Sequence, residues 1–202
     1  MNSKNISLAA AGLVLGGLLA FVAVTGGVPG VNAPQTSVTG KALIGGPFTL
    51  TDHTGKRVTE KDFLGHYMLI FFGFTNCPDI CPSGLQVLTT ALDKLGPKAD
   101  AVIPVFITFD GKRDTPEKLA AYLKSFHPRL VGLTGSDEEI AAVTKAFRVY
   151  VQKVTDEKSP ESYTFDHAAI FYLMGKDGAF LSPIPHTTDA DELVRALSAA
   201  LS

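Results

Sequence analysis

Residues 67–85 read YMLIFFGFTNCPDICPSGL. Tyr67 to Phe72 is a continuous apolar run, the pattern of a strand buried on both faces. From Ser83 to Leu95 the apolar residues Leu85, Leu88, Leu92 and Leu95 recur at helical spacing. Between the two lie the chain's only cysteines, Cys77 and Cys81. Their i, i+4 spacing brings both sulfurs to one side of a single turn, and Pro82 suits a first helical position, where its missing N–H costs nothing. A helix N-terminus favours the thiolate, the form that attacks disulfides and binds soft metals. An even cysteine count also suits a structural disulfide. Position argues against that reading, because a bridge closing so short a loop removes little chain entropy.

Outward from this segment the pattern alternates. Phe48 to Thr51 and Arg57 to Thr59 flank a Gly-containing loop and predict a hairpin. Ala101 to Phe109 (AVIPVFITF) predicts a second buried strand, with Pro104 unusual there. Thr115-Pro116 opens a helix as N-cap and first residue, and Asp137 to Phe147 reads as another. Ala168 to Met174 predicts a strand that turns through Gly175-Lys176-Asp177-Gly178 into Ala179 to Leu181. Asp189 to Leu201 closes the chain as an amphipathic helix. This order predicts an α/β domain, residues 41–202, with a mixed central sheet flanked by helices, as in thioredoxin-like folds.

The N-terminal part differs in kind. Residues 1–5 are short and polar, with Lys4 the last charge before Ile6 to Val24, which carries none. At about 1.5 Å per residue this run spans about 28 Å, near the thickness of a bilayer core. It predicts a single transmembrane helix, with the short N-terminus cytoplasmic and the rest exported. A cleaved signal peptide is the alternative, with Val31-Asn32-Ala33 a loose cleavage site. The length of the run, and Pro34 directly after that cleavage site, favour the anchor. Residues 25–40, uncharged and rich in Gly, Pro, Ser and Thr, read as a flexible tether. The expected setting is a bacterial inner membrane with the domain in the periplasm. The net charge of -2 argues against nucleic-acid binding.

A metal centre needs more than two thiolates, and the chain has five histidines. His53 lies in a hairpin turn and His66 in a Gly-His loop, both positions that suit solvated side chains. His127 stands at a helix end, where dipole contact accounts for it. His186 lies in a Pro-rich loop and stays open as a ligand. His167 follows Asp166 and directly precedes the expected strand Ala168 to Met174.

GFTNCPDICPSGL, with Asp166-His167 before a strand, resembles the Sco/SenC family of copper-binding assembly proteins of cytochrome c oxidase. The likeness runs in order from IGGPFTL (Ile44 to Leu50) through VTEKDF, FITFD, RDTPE, YLKSFHP, GLTG and KAFRVY to FYLMGKDG (Phe171 to Gly178). It implies a thioredoxin-like fold, copper ligands at Cys77, Cys81 and His167, and Cu(I) with Cu(II) as possible cargo. It further implies delivery to the subunit of cytochrome c oxidase that carries the dinuclear copper centre, with an upstream copper donor or thiol reductant. Asp166 is a candidate to orient the imidazole or to meet the partner, with a solvated loop acid as the plain alternative. The alternative is a thiol–disulfide oxidoreductase that reduces the oxidase's copper-site cysteines through Cys77 and Cys81. A peroxiredoxin-type peroxidase shares the fold, but the context of its cysteine is missing. Two departures stand out: Asp110-Gly111 where the family commonly has Asp-Pro, and Ala168 where Ser or Thr often follows the histidine.

Overall fold

The computed structural model describes residues 43–156 and 159–201. The apolar run 6–24 and the tether 25–40 lie outside the described residues. Among the described residues no helix is long and apolar enough to cross a membrane.

In chain order the strands are β1 (Thr49–Asp52), β2 (Arg57–Thr59), β3 (Tyr67–Gly73), β4 (Val102–Thr108), β5 (Val131–Thr134), β6 (Val151–Asp156), β7 (Ser159–His167), β8 (Ile170–Met174) and β9 (Phe180–Pro185). The helices are α1 (Ile80–Leu95), α2 (Pro116–Leu123), α3 (Asp137–Ala146) and α4 (Ala190–Ala200). Seven strands form one mixed sheet in the order β2-β1-β5-β4-β3-β8-β9. β3, β4 and β5 are parallel, while β8 runs antiparallel to β3.

β3 lies in the interior of the sheet, between β4 and β8, because its apolar run satisfies both faces at once. Phe71 points towards α1, where Gly84 leaves room for its ring. Phe72, one residue on, meets Phe109, Phe147 and Tyr172 on the opposite face. α1 and α2 thus share one face through Phe71 and its register partner Phe106, whose ring lies tilted against that of Tyr122 at 5.9 Å between centroids. α3 leads to Phe147 on the other. The mixed sheet flanked by helices stands as expected.

Local signals hold at most boundaries. Asp52 accepts from Thr54 and Lys56 to close the β1–β2 turn. Thr115 caps α2 by accepting from the Lys118 N–H, and Ser136 with Glu139 forms a capping box on α3. Pro104 is tolerated because it pairs only with Leu69 of β3; pairing with β5 begins at Val105.

Three elements depart from the expected order. β5 is an additional parallel strand. β6 and β7 form a separate two-stranded sheet between α3 and β8. His167 therefore does not sit just before a strand beginning at Ala168. It is the last residue of β7, and β8 starts only at Ile170.

Candidate metal centre

The loop leaving β3 folds tightly, with the Cys77 N–H donating to the Phe74 carbonyl at 3.2 Å. α1 begins at Ile80, a turn earlier than its leucine spacing indicates, so Cys81 lies within the helix rather than before it. Pro82 is the third helical residue rather than the first. It is still accommodated, because the first-turn N–H groups have no partner inside the helix. Cys77 is half-buried and Cys81 fully buried, and both are free thiols. Gly73 makes room for Cys81: a Cβ there would lie 2.7 Å from its sulfur.

The sulfurs differ electrically. The Cys81 backbone N–H donates to the Cys77 sulfur at 3.4 Å. Hydrogen bonding from the Cys81 thiol, helped by nearby backbone N–H groups, overcomes partial burial and lowers the Cys77 pKa to about 4. Sharing that proton, together with burial, pushes Cys81 up. The apo pair is thus one thiolate and one thiol, and a metal using both sulfurs must displace the shared proton.

The third donor arrives on β7. Tyr163, Phe165 and His167 alternate with exposed Thr164 and Asp166, so strand pleating turns these three towards the domain. Phe165 packs edge-on to Phe74, with ring centroids 5.2 Å apart. The His167 ring lies 4.9 Å from that of Phe109. Its Nδ1 is 3.1 Å from the Ala168 carbonyl oxygen, which assigns the ring proton to Nδ1 and leaves the Nε2 lone pair towards the sulfurs. Nε2 stands 3.8 Å from Cys81 Sγ. Asp166, exposed on the opposite side of the strand, does not orient the imidazole; the Ala168 carbonyl takes that place.

The donor atoms of Cys77, Cys81 and His167 all lie within 4.8 Å of one another. They border a cleft of about 240 Å³ lined also by Phe74, Ile80 and Phe165. Donors bonded at roughly 2.0–2.3 Å around one ion stand roughly 3.5–4 Å apart, so little contraction is needed. Two sulfurs and an imidazole suit copper, above all Cu(I). Among the described residues no other cluster of three His, Cys, Asp or Glu donors occurs. His53 and His127 use Nδ1 to accept from the Gly132 and Arg129 N–H groups, so His53 is engaged rather than simply solvated. The His186 Nδ1 faces the Ala169 carbonyl, and His66 is exposed. None of these four joins the cluster.

Sequence reasoning missed the supports. Asp114, with no exposure, accepts from the Thr75 N–H at 2.9 Å, the Thr75 hydroxyl at 2.5 Å and the Thr108 hydroxyl at 2.6 Å. It ties the cysteine loop to the end of β4. Asp110, also buried, pairs instead with Arg113 and Tyr163. The alternation in Tyr163-Thr164-Phe165-Asp166-His167 was the available signal for β7.

The sequence model of the SCO1/SenC family matches residues 36–202. An Arabidopsis thaliana mitochondrial SCO1 homologue is 46% identical over 155 residues, which is 76% of this chain and 46% of that protein. The chain spans about half the length of the Arabidopsis and human mitochondrial relatives it matches. Copper-bound Bradyrhizobium japonicum ScoI superposes with a TM-score of 0.72 at 45% identity, covering 78% of this chain and 99% of that one. BsSco, a member of the Sco family of cytochrome c oxidase assembly proteins with an identified disulfide switch, gives 0.64 at 25% identity, covering 80% and 96%.

Proposed function

The chain belongs to the SCO1/SenC family, and on that premise we propose that it is a copper metallochaperone holding its cargo through Cys77, Cys81 and His167. The meeting of these three donors at the rim of one cleft supports the reading most directly. Cu(I) is the favoured cargo, and Cu(II) would take a further oxygen or nitrogen ligand. A rim site releases its ion by ligand exchange when a partner offers competing donors. The proposed recipient is the dinuclear copper centre of cytochrome c oxidase, and an upstream copper donor reloads the site.

Residues 6–24 serve as the anchor and 25–40 as the tether, which place the domain on the periplasmic side of a bacterial inner membrane. Anchoring confines the search to the membrane plane and raises effective concentration. The full chain should remain in the membrane fraction after an alkaline wash; a mature chain starting near Pro34 would establish cleavage instead.

The deciding variant is His167→Ala. Changes beyond the ligand shell cost 10–100-fold in metal affinity, so losing a ligand should cost at least about that much. Copper loading of the oxidase in cells should be lost. Normal copper affinity with normal oxidase assembly would refute the chaperone reading.

One observation favours a second role, thiol–disulfide exchange. Cys77 is the accessible, acidified thiol, and Cys81 lies buried directly behind it. Cys77 thiolate would attack a partner disulfide, forming a mixed disulfide and releasing one partner thiolate to be protonated. Cys81, on losing its proton, would attack Cys77 and release the second thiolate. The partner gains two electrons, the domain ends as a disulfide, and an external thiol reductant resets it. This chemistry does not need His167 as a ligand, so His167→Ala should leave disulfide reduction by the purified protein largely intact.

A further inference from the structure

Among the described residues, β6 and β7 pair only with each other. A lone two-stranded hairpin is marginal by itself, so its place is set by what docks it to the domain. Phe165 supplies apolar contact with Phe74 and Phe109, which is attractive but non-directional. Strand residues are about 3.3 Å apart, so even a fraction of a one-residue slide would carry His167 off the sulfurs. Metal donors need placement within about 0.5 Å.

Directional contacts occur one pleat back from Phe165. The Tyr163 hydroxyl donates to Asp110 Oδ1 at 2.7 Å. Arg113 pairs with Asp110 through Nε and donates from Nη1 to the Tyr163 carbonyl at 3.0 Å. Its guanidinium carbon lies 3.7 Å from the centre of the Tyr163 ring. One guanidinium thus holds both the backbone and the ring of the strand that carries His167. Asp110 is only 3% exposed. A buried carboxylate is tolerated when its charge is paired and its hydrogen bonds are made, as they are for Asp110.

The same loop grips the other half of the site, since Asp114 holds Thr75 of the cysteine loop. Gly111 makes the loop's position possible. A Cβ there would stand 2.2 Å from the Gly135 carbonyl oxygen and 2.7 Å from Ile140. The glycine in place of the family's common proline lets the loop between Asp110 and Arg113 pass close to Gly135 and Ile140.

We infer that Asp110, Arg113 and Tyr163 form a latch that sets the position of His167 relative to the two sulfurs, making them positioning residues for copper binding. The latch has this role only if the copper reading of Cys77, Cys81 and His167 holds. Because it acts through His167, its removal should matter only while His167 is present.

The test is the Cu(I) affinity of the full chain, read by competition with a chromophoric chelator, for Arg113→Gln with and without His167→Ala. In the presence of His167, Arg113→Gln should weaken binding by about tenfold or more. In the His167→Ala background the further change should stay within about twofold. Tyr163→Phe keeps the ring and removes one hydrogen bond, so it folds even if Arg113→Gln does not, and it should show the same dependence on His167. Gly111→Ala, which displaces the loop without altering the latch chemistry, should behave alike. Unchanged affinity for Arg113→Gln and Tyr163→Phe beside wild-type binding overturns the latch alone. An equal loss in both backgrounds also overturns it, because the effect would then be general destabilisation. A wild-type chain that takes no copper overturns both the latch and the copper reading.

Discussion

The backbone N–H of Cys81, in the first turn of α1, points at the sulfur of Cys77 from 3.4 Å. The pair is therefore asymmetric, with negative charge held on the half-exposed sulfur and the proton on the buried one. Cys77 should stay a thiolate down to about pH 4, far below the ordinary thiol value of 9.0. Alkylation of reduced, metal-free protein should give a single adduct at Cys77, with a rate nearly flat between about pH 8 and 6. An ordinary thiol would slow about tenfold per pH unit over that range. Cys81→Ala removes the main hydrogen-bond donor and should restore much of that slope. A steep slope in the unaltered protein would refute the shared-proton arrangement.

Copper uptake should depend on redox state. The sulfurs are near neighbours, and joining them leaves no thiolate to offer a metal. Reduced protein should bind about one copper per chain and oxidised protein almost none, with uptake restored by a thiol reductant. Equal uptake by both forms, read by metal analysis after desalting, would show that the cysteines are not the ligands.

Gly73→Ala tests the packing under the site. The new methyl would meet Cys81 Sγ at 2.7 Å and Phe106 Cε2 at 2.8 Å, and both neighbours are fully buried. Overpacking of this kind costs about 1–3 kcal/mol. Thermal unfolding should shift downward, and copper affinity should fall because relief requires moving the sulfur. A variant with wild-type stability and affinity would mean that the end of β3 is looser than the structure indicates.

Asp114→Ala removes the acceptor of three hydrogen bonds and leaves the Thr75 and Thr108 donors without it. The expected loss is about 2–4 kcal/mol, seen as a lower denaturation midpoint at unchanged slope. Asp114→Asn retains one acceptor oxygen and should lose less. A midpoint unchanged by Asp114→Ala would show that water replaces the carboxylate.

Much of the fold was legible because local chemistry and tertiary role coincide. An apolar hexapeptide such as Tyr67 to Phe72 has few places to go except the middle of a sheet. Thr115-Pro116 opens α2 through contacts made within its own first turn. Val131–Thr134 and the β6–β7 hairpin were harder. The first is only 4 residues long, and the hairpin strands are largely polar, with the alternation confined to Tyr163 through His167.

By itself the sequence determined the cysteine pair and its place between a buried strand and a helix, and family resemblance pointed to His167 as the candidate third donor. Tertiary structure decided how that donor arrives. His167 stands 86 positions from Cys81, and no local rule spans that distance. It comes within 3.8 Å of the sulfur because strand pleating puts Tyr163, Phe165 and His167 on one face and Asp166 on the other. Asp110 and Arg113 then hold that face through contacts with Tyr163. Such contacts belong to residues distant in the chain, so they exist only once the sheet, the loop after β4 and the hairpin have packed together.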